Sequence, residues 1–227
     1  MLKRVFGSSV GKKYLMAVTG LVLLGFVIVH MVGNLQLFLG REALNRYAEF
    51  LKGLGELLWV ARLVLLACVG LHIWAAIALT LSNRKAKPVG YQVPNPNAAS
   101  YASRTMIYSG LIVLAFLLFH LAHFTLGLTH PEHYALIDEQ SRHDVFGMVV
   151  KGFQSPWVSG FYILAMGLLF AHLSHGISAF CQSLGLRSPA NHALIDRSAR
   201  LISAALFIGN SVMPLSILLG YGKDLVR

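Results

Sequence analysis

Gly160-Phe161-Tyr162-Ile163-Leu164-Ala165-Met166-Gly167-Leu168-Leu169-Phe170-Ala171-His172-Leu173-Ser174-His175-Gly176 is an apolar run with two histidines deep inside it. An imidazole in hydrocarbon is costly unless something binds it, so both histidines are candidate functional residues. Residues 157–183 around this run exceed the ~20 needed for a helix to cross a ~30 Å hydrocarbon core. Four further stretches have the same character: 14–39, 56–82, 104–129 and 197–221. Membrane strands need only ~10 residues with in/out alternation, which is absent here. The fold class is therefore all-α, an integral membrane bundle of five transmembrane helices.

Composition agrees. The 227 residues are 56% hydrophobic and only 12% charged, whereas a soluble domain carries about 25% charged residues. Mean hydropathy is +0.64. The basic Met1-Leu2-Lys3-Arg4 resembles the head of a signal peptide, but the apolar run behind it continues to Leu39. That is far beyond a signal core of ~7–15 residues, so this stretch reads as the first span, with residues 1–13 along the inner surface. Cys68 and Cys181 show no CxxC spacing and are assigned to packing.

Charge gives an orientation. The side shared by the N-terminus and the loops 83–103 and 184–196 holds eleven basic residues and one acid, Asp196; the other side holds eight of each. The positive-inside rule then places the N-terminus in the cytoplasm. The basic face explains itself by topology, and it also offers a docking surface for an acidic partner. No nucleic-acid partner is expected.

Between the spans, residues 41–54 show apolar side chains at helical spacing, which predicts an amphipathic helix at the outer interface. Loop 83–103, with Pro88, Pro94 and Pro96, reads as non-helical and as a docking strap. In the outer loop 130–156, His130, His133 and His143 read as solvated residues with proton handling as the sharper alternative. Residues 145–153 there read as a second interfacial helix. Arg62 reads as a side chain that snorkels to the interface, or as a partner for an anionic cofactor group. The fifth span lacks histidine, contains Pro214 and is placed at the bundle periphery.

His30, His72, His120 and His172 fall one in each of the first four spans. At ~1.5 Å per residue, His30 and His120 lie ~24 Å from the inner side, while His72 and His172 lie ~24 and ~22 Å from the outer side. They sort into two levels, His30 with His120 towards the outside and His72 with His172 towards the inside. Two histidines at one depth on different helices can ligate a haem between them, and bundle cores host cofactors this way. The levels differ by ~15 Å, too far for one zinc or copper site. The plain alternative is four histidines hydrogen-bonded to neighbouring helices. An internal repeat marks the outer pair: residues 19–30, TGLVLLGFVIVH, match residues 109–120, SGLIVLAFLLFH. It selects His120 over His123, which becomes a neighbour of the site or a quinone-facing residue.

These motifs, together with Gly70-Leu71-His72 and Gly160-Phe161-Tyr162…His172-x-Ser174-x-Gly176, resemble one family along nearly the whole chain. It is the dihaem cytochrome b membrane anchor of succinate:quinone oxidoreductases, found in succinate dehydrogenases and menaquinol:fumarate reductases. The resemblance implies a single transmembrane cytochrome b domain, residues 1–227, whose first four helices form the haem-binding core. It implies that His30 and His120 ligate a distal haem b and His72 and His172 a proximal haem b. The implied partners are a flavoprotein subunit holding FAD and an iron–sulfur subunit, both on the cytoplasmic side of a bacterial-type inner membrane. Electrons would pass between succinate, the partners' cofactors, the haems and a quinone, expected to be menaquinone. The family's spacing selects His172 over His175, leaving His175 beside the haem. The fumarate reductases of this family carry a glutamate near the outer end between the first two spans, where Glu49 and Glu56 stand here. Either is a quinone or proton candidate, with an interfacial surface glutamate as the plain alternative. The nitrate reductase gamma subunit is a runner-up, and a haem-free anchor with a histidine proton relay is a rival of another class.

Overall fold

The computed structural model describes residues 6–86 and 101–226, the side chains of 101–105 excepted. Helix α1, Ser9–Asn34, starts where Ser8 accepts a hydrogen bond from the Gly11 amide at 3.0 Å. The helix therefore includes Lys12 and Lys13, and the expected surface segment is helical from Ser9 onward: a capping serine followed by no helix breaker starts the helix early. A 3-10 turn, Leu35–Leu39, leads to Gly40 at φ 99°, and the chain turns into α2, Arg41–Gly53. Both α2 and the expected amphipathic stretch cover the same residues. Gly55, at φ 55°, separates α2 from α3, Glu56–Ala86.

Helix α4, Tyr101–His120, runs into a π turn at Leu121–Thr125. The ends of loop 83–103 that are described, 83–86 and 101–103, are helical; its prolines lie outside the described residues. A short α5, Pro131–Tyr134, and α6, Val145–Phe153, precede α7, Pro156–Ser183, and α8, His192–Leu218. Among the described residues, five segments are long and apolar enough to span a membrane: Ser9–Leu39, Glu56–Ala86, Met106–Thr125, Pro156–Ser183 and His192–Leu218.

Helices α1 and α7 pack against each other at the centre; α3 lies on α1, α4 lies on α7, and α8 packs along α7 and also touches α1. The fifth span, expected at the periphery, packs on α7 and α1, and α8 is the most buried of the five. Its small residues bring it close: Ala199 and Ser203 are fully buried, and Gly209 receives the Met31 thioether. Small residues, not hydrophobicity, set helix approach in lipid. Pro214 is buried as well, inside the helix.

Helix α6 is core rather than interfacial surface. Phe146 and Val150 are wholly buried, in one cluster with Leu37, Leu44, Phe153, Tyr162 and Ile217. Buried polar groups fix it there. The Asn45 amide donates to Asp138 at 3.0 Å and Asp144 at 2.9 Å and accepts from the Phe146 amide at 2.9 Å. Arg41 forms an ion pair with Asp144, whose side chain is 1% exposed. Burial pushes the Asp144 carboxyl up, but Arg41, Asn45 and the Gly147 amide together outweigh it and hold it below the usual carboxylate range. Arg142 pairs with Glu42 at 2.6 Å and Asp138 at 2.8 Å. This network ties α2 to the loop before α6. His130, His133 and His143 are half-buried inside the same cap, not solvated, because α5 and α6 fold back over the bundle end.

Candidate cofactor-binding histidine pairs

The repeat has a structural meaning. Its two copies lie on α1 and α4, and each copy receives a histidine presented by a different helix. Nδ1 of His72, on α3, lies 3.3 Å from Thr19 Oγ1 and 3.2 Å from the Met16 carbonyl. Nδ1 of His172, on α7, lies 3.3 Å from Ser109 Oγ. Glycine follows each hydroxyl residue and makes room: a Cβ on Gly20 would stand 3.2 Å from His72 Cε1, and one on Gly110 would stand 3.5 Å from His172 Cε1.

The Met16 carbonyl sets the tautomer of His72, and the Ser109 hydroxyl favours the same one at His172. A carbonyl only accepts, so His72 carries its proton on Nδ1 and donates it. Thr19 already donates to the Leu15 carbonyl at 2.7 Å, and Ser109 to the Met106 carbonyl at 3.0 Å. Both hydroxyls therefore have only acceptor capacity left for the imidazoles. His72 and His172 are both held as Nδ1–H donors, which leaves each Nε2 lone pair available as a ligand. The two rings are close enough to interact electrostatically.

At the other level the rings of His30 and His120 meet edge to face, 5.7 Å between centroids. The repeat supplies an aromatic to each: Phe26 stacks on His30 at 5.2 Å, and Phe116 lies 5.8 Å from His120. His120 Nδ1 is 3.4 Å from the Tyr162 hydroxyl. The structure thus brings together the same residues that share a depth along the sequence.

The outer level brings two imidazole rings edge to face, and the inner level brings two within electrostatic reach. Among the described residues no group of three or more His, Cys, Asp or Glu side chains is placed to hold a metal ion. A haem needs only an axial pair, since the porphyrin occupies the remaining positions on iron. His72 and His172, oriented through Nδ1 beside Gly20 and Gly110, and His30 and His120, lined by Phe26 and Phe116, are residues that would fit that group.

The remaining candidates are spread out. His123 is buried at 3% exposure, with Nδ1 3.1 Å from the Tyr162 hydroxyl. The π turn widens α4 at this point, and π turns recur at functional sites. His175 is half-buried, within electrostatic reach of Arg187 and Asp196. Arg62 is exposed and lies 5.1 Å over the Trp59 ring. Glu49 is 60% exposed and 3.7 Å from Arg142; Glu56 is exposed at the start of α3. The structure does not bring either glutamate into contact with a histidine.

Sequence reasoning missed Tyr162 although it sits in the stretch that decides the fold. A phenol in an apolar span needs a hydrogen-bond partner, and that requirement was the available signal. Thr19 and Ser109 were signalled too, as the hydroxyl position of the repeat, but only the fold shows which imidazoles they hold.

Among protein families, the one described as succinate dehydrogenase/fumarate reductase transmembrane subunit matches residues 80–210, more than half of the chain. No curated protein and no solved structure matches it.

Proposed function

The chain belongs to the family of succinate dehydrogenase/fumarate reductase transmembrane subunits, and from that premise we propose that it is a dihaem electron-transfer anchor. It holds two b haems and passes electrons between an iron–sulfur subunit and membrane quinone, expected to be menaquinone. The observation that supports this reading is the placement of four histidines on four helices: the rings of His30 and His120 meet edge to face, and His72 and His172 lie within electrostatic reach of each other. His30 and His120 would hold the distal haem, and His72 and His172 the proximal one.

Bound there, haem supplies one-electron chemistry. The chain's own residues do the rest. Thr19, Met16 and Ser109 orient the inner imidazoles, the glycines let them approach the helix backbones, and the apolar packing of the bundle keeps water away. Dicarboxylate chemistry is left to a flavoprotein subunit with FAD, bound with the iron–sulfur subunit on the basic face. That face is cytoplasmic by the positive-inside rule, in a bacterial-type plasma membrane. Glu49 and Glu56 remain candidates for proton exchange with quinone, since both stand at the end of the bundle near α2.

A nitrate reductase gamma type cytochrome draws its four ligands from two helices, so one histidine on each of four helices favours the present reading. A reduced-minus-oxidised spectrum of the purified protein separates it from a haem-free anchor: b-type bands are expected, and their absence contradicts the proposal. Co-purification of a flavin-bearing subunit tests the partners.

A further inference from the structure

Among the described residues, His123 has a hydrogen-bond partner on Nδ1 only. Nε2 is buried without one there, and so are Nδ1 of His130 and Nδ1 of His133. With Nδ1 of His143 in the same cap, that makes four orphaned imidazole nitrogens among the described residues, which is unusual because buried polar atoms in folded proteins are nearly always satisfied. The rings are close together. His123 and His130 are 5.2 Å apart between centroids, and His130 and His133 stack at 5.0 Å with planes 5° apart. The stack ends at the surface, where His133 Nε2 lies 3.7 Å from Glu132, itself 67% exposed. Gly152 on α6 makes the room: a Cβ there would stand 3.0 Å from His123 Nε2.

We propose that His123, His130 and His133 form a proton conduit between the buried space beside the outer histidine pair and water at Glu132. Each imidazole accepts a proton on one nitrogen and releases one from the other, which leaves it as the opposite tautomer, and a flip of the ring restores the starting state. Waters bridging the orphaned nitrogens complete the path. Burial is the main reason His133 is held below its ordinary value, which favours its neutral ring. The charged and titratable groups around the three histidines are Glu132 beside His133, Lys151 on α6, Tyr162 on α7 and His120 on α4. Reduction of a quinone consumes two electrons and two protons. The conduit supplies those protons if the proposed function holds, and it rests on that reading only for its purpose.

The test uses the full chain with its histidines labelled with nitrogen-15, in lipid discs, and follows exchange of the His123 ring N–H with water. The variants are His130→Gln, which keeps a hydrogen-bonding side chain without relaying protons, and His130→Phe. Exchange is expected to slow at least tenfold in both and to recover when imidazole is added. Exchange within twofold of the unsubstituted chain in both variants overturns the conduit. In the assembled complex, His130→Gln should lower quinone turnover several-fold at alkaline pH while the haem spectrum stays unchanged. An unsubstituted complex with no quinone turnover but with slowed His123 exchange in the variants contradicts the functional reading and supports the conduit.

Discussion

Ser109 Oγ lies 3.3 Å from Nδ1 of His172, a hydroxyl on α4 holding an imidazole presented by α7. Thr19 on α1 holds His72 of α3 at the same distance, but there the Met16 carbonyl shares the proton. The two inner histidines are thus secured by repeated positions with unequal backing.

That inequality predicts unequal mutants. Ser109→Ala strips the only hydrogen bond found among the described residues at His172 Nδ1, whereas Thr19→Val leaves His72 the Met16 carbonyl. Loss of such an orienting partner weakens cofactor binding about 10–100-fold. Haem retention on dilution should fall by that amount in Ser109→Ala and by clearly less in Thr19→Val, with Ser109→Thr close to the unsubstituted protein.

The glycines differ in the same direct way. A methyl at Gly20 meets His72 at 3.2 Å, closer than ordinary contact, while one at Gly110 meets His172 at 3.5 Å. Gly20→Ala should broaden or shift the spectrum of the inner haem, and Gly110→Ala should leave it as it is. Low-temperature difference spectra of the two variants provide the comparison.

His172 and His175 lie one turn apart on α7, so their substitution tests the register of the site. His172→Ala is expected to remove one haem, and His175→Ala to leave both, by haem quantitation per chain. Swapped outcomes would move the ligand assignment by one turn.

Depth along each span was legible because a helix advances a fixed distance per residue, and polar interruptions in apolar runs mark positions along that axis. His30 with His120 and His72 with His172 follow from it. Rotation about the axis is another matter. Which ring faces Tyr162 depends on the π turn at Leu121–Thr125, a local change of pitch that an ideal helical wheel does not contain. The burial of α6 was equally hidden, since an apolar helix suits a lipid interface and a protein cap alike. Asn45 and Asp144, far apart in sequence, decide that question through a hydrogen bond. The close packing of α8 rests on small residues that hydropathy does not weigh.

Asp144 gives a pH prediction. Its folded carboxyl titrates below the ordinary value, so its contribution is fully present above the unfolded value of about 3.9. The contribution is lost as pH falls through the lower, folded value. Asp144→Asn should lose roughly 2–3 kcal/mol at pH 7, less than for a fully buried pair because Arg41 still reaches water. Its stability should also fall less steeply on acidification, as read by thermal unfolding in detergent at pH 3 to 7.

Glu49 and Glu56 are exposed at the α2 end of the bundle, placed to exchange protons with water. Glu49→Gln or Glu56→Gln is expected to lower quinone turnover of the assembled complex several-fold with both haems retained. Normal turnover in both variants would remove them from the quinone reaction.

The central claim, two b haems each held between a pair of histidines on different helices, is tested most directly by haem quantitation per purified chain. The unsubstituted protein should contain two b haems, and His120→Ala and His172→Ala one each, with different residual spectra. A chain without haem, or one that keeps both haems after either substitution, would contradict the account.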